Sequence, residues 1–145
     1  MNAYDILSTV HASTAMLLLS LALIATLISV LIAVKPAADP ANERLLSRAN
    51  TVGLIEQVVV GIVTASGVVA VLLTSFSLSQ PWLWMSLMIM VFYSAALKFI
   101  TKPSREAVAE GGSAAKSGLQ VVLQIGHVLL LIIAFFLMVS KPVLL

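Results

Sequence analysis

Four long apolar runs constrain this chain more than any other feature: Ile6 to Val34, Val52 to Ser75, Trp82 to Ile100 and Leu119 to Ser140. A helix needs about 20 predominantly apolar residues to cross the hydrocarbon core of a bilayer. The runs meet that length, and they lack the alternation of a membrane β-strand. Only 10% of the residues are charged and 61% are hydrophobic, with a mean hydropathy of +1.12. Soluble domains carry about 25% charged residues, so lipid must solvate much of this surface. The fold class predicted is an all-α integral membrane protein, a four-transmembrane-helix bundle. Its 145 residues suit a single membrane domain, 1–145.

Helix breakers support the division. Pro36 and Pro40 follow the first run, and Pro81 precedes the third. Pro103 and Gly111-Gly112 lie between the third and fourth, and Pro142 follows the last. Loops are therefore expected over 35–51 and 101–118. The first run is too long for a cleaved signal, and its leader Met1–Asp5 is acidic, so a retained helix is expected. The net charge of +2 gives no basis for a nucleic-acid partner. The absence of cysteine excludes disulfides, iron–sulfur ligation and thiolate chemistry.

Charge predicts orientation. Lys35, Arg44, Arg48, Lys98, Lys102, Arg105 and Lys116 fall on one side of a four-span arrangement, and only Lys141 falls opposite. The positive-inside rule makes that side cytoplasmic and places both termini outside. In a bacterial cell this means a multi-pass inner-membrane protein with a periplasmic exterior. The uncharged connection from Phe76 to Pro81 suits an exterior turn, with Trp82 and Trp84 as interface anchors.

Polar residues inside the spans are candidate functional groups because they are costly there. Gln120, Gln124 and His127, at i, i+4 and i+7, share one helical face. Glu56, Gln57, Tyr93 and Lys98 come from neighbouring spans at overlapping depth. Together they predict a polar cluster in the cytoplasmic half, with a Glu56–Lys98 ion pair. Such a cluster suits a proton path, a quinone headgroup or a haem propionate. It is equally open to a structural reading, with Lys98 snorkelling, Glu56 partly wet and the glutamines joining helices. His11 and His127 are the candidate cofactor-binding residues, since histidines on facing helices hold b-type haem. His11 lies toward the exterior and His127 near mid-membrane, roughly 10–15 Å apart in depth, which disfavours one iron between them. Single-histidine ligation with Met16, Met85, Met88 or Met90 stays open, as does a purely structural role for each. No catalytic residues and no metal site are assigned. Small residues Gly61, Ala65, Ser66 and Gly67, with Ala12, Ser13 and Ser20, are expected to form packing faces.

The segments Thr9-Val10-His11-Ala12, Pro81-Trp82-Leu83 and Lys141-Pro142 give the chain a pattern that resembles small four-helix bacterial membrane proteins related to copper-resistance protein D and the membrane-bound, haem-associated protoporphyrinogen oxidase. The resemblance implies haem b as cofactor and His11 as its ligand. It does not extend to the oxidase activity. The lysine that follows the third-helix tryptophan in that oxidase is replaced here by Met85 and Ser86. The tryptophan-glycine stretch of its first helix is replaced by Met16 to Ser20. Three functions follow as expectations: a small haem-b-associated, redox-linked membrane protein; a non-catalytic accessory subunit of a larger respiratory or transport complex; or a metal or proton transport component, assembled as a homo-oligomer.

Overall fold

The computed structural model describes residues 2–36, 38–74, 78–111 and 114–141. Phe76, Gly112 and Pro142, together with the Ser75 end of the second run, lie outside them. The protein is an all-α bundle. Its helices are α1 (Ala3–Ala33), α2 (Ala41–Leu72), α3 (Pro81–Ala96), α4 (Lys102–Gly111) and α5 (Ala114–Ser140). A π-helical turn, Leu97–Thr101, joins α3 to α4. Four spans are long and apolar enough to cross a membrane, α3 and α4 together forming the third. The N-terminus of α1 and the C-terminus of α5 share one end, the terminal end. The connections after α1 and α4 share the other, the basic end.

Local chemistry fixes the helix starts. Asn2 and Asp5 form a capping box: Asp5 N–H donates to Asn2 Oδ1 at 2.8 Å, and Asn2 N–H donates to Asp5 Oδ2 at 3.2 Å. Asp5 also sits favourably at the positive end of the helix dipole. Asp39 Oδ1 accepts from Ala41 N–H at 2.8 Å, and Asn42 Nδ2 donates to Pro36 O at 2.9 Å, stitching the turn into α2. Pro81 opens α3 at a position where its missing N–H costs nothing.

Both segments read as loops are largely helical. Residues 41–51 form the first turns of α2, and α4 occupies most of 101–111. Hydropathy marks where the apolar run ends, and Glu43, Arg44 and Arg48 are no barrier to a helix that continues beyond it. Pro103 would clash with the Phe99 carbonyl in a regular α-helix. The widened turn before it absorbs that conflict, with Lys102 N–H bonding to Leu97 O.

Packing is led by α1, which lies against α2 along most of its length and also against α5, while α3 packs chiefly on α5. Ala22 and Ala25 of α1 are essentially inaccessible; Ala22 packs in a core with Leu18, Val59 and Val60, and Ala49 of α2 packs with Ile28 and Ile32. Small buried residues permit close helix approach where lipid is as apolar as the core. The expected small-residue faces differ: Gly61, Ala65, Ala12, Ser13 and Ser20 point outward, and only Ser66 and Gly67 turn in. Outward positions carry Leu, Ile, Val, Phe and Met throughout. Replacing Ala25 by Leu should therefore overpack the buried face of α1 and cost about 1–3 kcal/mol. Ala65→Leu should stay within about 0.5 kcal/mol. Unfolding midpoints in detergent compare the two.

Candidate functional site

The polar residues sort into two sites at different depths. The first is a cavity of about 340 Å³ at the terminal end, lined by residues of α1, α2, α3 and α5. Its wall is mostly apolar, including Val63, Val68, Leu87, Met90 and Trp82, and its polar lining includes Ser8, His11, Thr64, Ser86 and Lys141. The volume lies at the lower end of the range for small-molecule pockets, roughly 300–1,000 Å³.

His11 is built into this cavity. Its Nδ1 lies 2.9 Å from Val63 O, so the carbonyl holds the proton on Nδ1 and leaves Nε2 basic. Ser66 Oγ lies 3.3 Å from the same nitrogen. Nε2 faces Met138 Sδ at 3.3 Å. Gly67 makes room for the ring: a Cβ there would stand 2.8 Å from His11 Cε1. An imidazole held through one nitrogen to a backbone carbonyl, with the other presented, has the orientation that metal-ligating histidines receive from their surroundings. Imidazole with thioether is also a recognised haem ligand pair. The donor types suit the group that the resemblance implies, and Nε2 and Sδ, in direct contact at 3.3 Å, would have to part to admit an iron. Of the methionines named as second ligands, Met16, Met85 and Met88 face outward, while Met90 lines the cavity. The one touching the ring is Met138, missed because α5 meets α1 only in three dimensions. Both tryptophans line the cavity; Trp82 is buried rather than at an interface, while Trp84 is half exposed and donates from Nε1 to Leu78 O at 2.7 Å.

The second site lies toward the basic end. Glu56 is fully buried, and its Oε1 accepts from Tyr93 Oη at 2.9 Å. The Tyr93 ring meets His127 edge-on, centroids 4.6 Å apart. His127 Nδ1 donates to Leu123 O at 2.7 Å. Gln120 and Gln124 are buried on the same face of α5, and Gln120 Nε2 donates to Thr101 O in the π turn at 3.1 Å. Next to Glu56 in the chain, Gln57 Nε2 donates to Ser94 Oγ at 2.5 Å.

The cation of this cluster is Arg105, not Lys98. Lys98 is exposed, with Nζ 5.3 Å from the centroid of the Phe99 ring, so the expected Glu56–Lys98 pair does not form. Arg105 is 5% exposed; its guanidinium lies in the notch left by Gly53, and Nε donates to Asn50 Oδ1 at 3.2 Å. It is close enough to Glu56 for their charges to interact. Reading Pro103 as a helix end had placed Arg105 in a loop. The available signal was Gly53, three residues before Glu56 on the same face of α2. Glu56 is fully buried, away from the wet interface expected for it.

The two histidines do not share a site. His11 touches Met138, and His127 lies about 16 Å of helix rise away along α5. Comparison of the chain with protein-family models, with curated proteins and with solved structures finds no match.

Two substitutions test the geometry. Gly67→Ala should displace the His11 ring and break its bond to Val63 O; imidazole ¹⁵N spectra should report mixed tautomers at His11 and no change at His127. Tyr93→Phe should cost about 1–3 kcal/mol, because Glu56 Oε1 loses its donor in a buried site; detergent unfolding measures it.

Proposed function

We propose that this protein is a small, haem-b-associated, redox-linked membrane protein whose terminal-end cavity binds the cofactor through His11. The supporting observation is the His11 arrangement: Nδ1 tied to Val63 O, Nε2 presented beside Met138 Sδ, and an apolar cavity alongside. Haem bound there would supply one-electron transfer. The protein's part is to orient the imidazole, offer a flexible thioether as second ligand, and surround the group with apolar side chains that exclude water. His127 takes no part, because it is enclosed against Tyr93 outside the cavity wall.

The reading places the protein in a bacterial inner membrane. Arg44, Arg48, Lys98 and Lys102 are exposed at the basic end. The positive-inside rule makes that end cytoplasmic and gives the cavity and both termini to the periplasmic side. The assignment keeps its sign although Arg105 is buried.

The test is a reduced-minus-oxidised visible spectrum of protein purified in detergent. Soret and α bands are expected, lost in His11→Ala and retained in His127→Ala. Met138→Ala should keep the bands but shift them. A folded preparation that is colourless and stays so on titration with haem would overturn the proposal.

A further inference from the structure

We infer that the basic half of the bundle is a dead-end proton well, a water-lined route from the basic end to the carboxyl of Glu56. Three observations converge. The first is a route. A basin of about 810 Å³ opens at the basic end beside Lys35, Asn42 and Asn50. Behind it lies a cavity of about 10 Å³ between Ser29, Arg105, Ser117 and Gln120. Ser117 and Val108 line both spaces, so they share a wall. The inner one is near the smallest volume that holds a single water, about 10–15 Å³.

The second observation is unspent hydrogen-bonding capacity. Glu56 Oε2, Thr101 Oγ1, Arg105 Nη1, Gln120 Oε1, Gln124 Oε1 and His127 Nε2 are buried without a partner in the protein. Leaving so many orphans costs about 1–3 kcal/mol each unless water joins them. The set mixes a donor, several acceptors and a hydroxyl that does both, as a water chain requires. Arg105 and Gln120 belong both to this set and to the water-sized cavity.

The third observation is closure. Beyond Tyr93, the packed core of Leu18, Leu21, Val60, Val63 and Leu131 separates this region from the terminal-end cavity. The water-sized cavity reaches Arg105 and Gln120, and the proposed route runs from there to Glu56, the one fully buried carboxylate among the described residues.

The step balances simply. A hydronium ion from the basin passes a proton along the water chain to Glu56 Oε2, giving a neutral carboxyl and water; release is the reverse. Tyr93 Oη keeps donating to Oε1, and Arg105 keeps its proton. The groups facing Glu56 are Tyr93 from α3, Arg105 from α4 and, behind Tyr93, His127 from α5. The buried face of α1 carries only Leu, Ala, Ile and Ser29. The well stands whether or not haem occupies the other cavity.

Infrared spectroscopy of the full chain in lipid, with solvent protons and deuterons as the probe, tests it. Expected is a carbonyl stretch from a protonated carboxyl that fades as pH rises and shifts promptly in D₂O. It should be lost in Glu56→Gln. If that variant does not fold, a displaced band in Tyr93→Phe makes the assignment. Ser117→Leu and Ser29→Leu, which fill the water-sized cavity, should slow the deuterium shift, while Ser8→Leu in the other cavity should not. A carboxyl band absent at every pH the fold tolerates, or one that does not titrate, overturns the well. Exchange unaltered in both plugging variants overturns the route.

Discussion

The hydrogen bond from Tyr93 to Glu56 is the contact on which the arrangement of this bundle depends. In lipid, apolar side chains gain nothing by choosing a helix neighbour over an acyl chain, so burial alone does not say which face turns inward. A carboxylate does. Glu56 cannot face the hydrocarbon, and the groups able to meet it are Tyr93 and Arg105, on one long helix broken by a π turn. The Tyr93 bond to Glu56 sets the rotation of α2 and the depth of α3, and the buried guanidinium of Arg105 requires α4 to continue past Pro103. Gly53 completes the arrangement by leaving space for the guanidinium.

That logic explains what was legible in the sequence. The four spans were, because their length is imposed by bilayer thickness. The inward face of α5 was too, since Gln120, Gln124 and His127 mark it at helical spacing. The inward faces of α1 and α2 were not, because their outward and inward positions carry the same apolar residue types. Small residues at Ala12, Ser13 and Gly61 looked as suitable as Ala22, Ala25 and Gly53. The partner of Glu56 was misassigned for a related reason. Lys98 and Arg105 are both plausible cations by depth, and only the continuation of the helix through Pro103 brings the second one in.

The terminal site shows the same limit from another side. His11 was identifiable as an ionisable group in an apolar run. Its neighbours come from α2 and α5, more than fifty residues away in sequence. The requirement that they meet is written in Gly67, whose missing side chain is filled by the imidazole. A glycine in a membrane helix reads equally well as a place for helices to touch, so the sequence alone does not separate the two uses.

The two sites are physically linked through the way α2 and α3 are held. α1 and α2 pack along most of their length; α2 and α3 touch far less. Toward the basic end they are tied by two adjacent polar bonds, Glu56–Tyr93 and Gln57–Ser94. Toward the terminal end the cavity beside His11 takes its lining from α1, α2, α3 and α5. The two polar bonds fix the register of α2 against α3 with directional contacts that lipid cannot imitate, and so fix which residues of those helices face His11 at the other end.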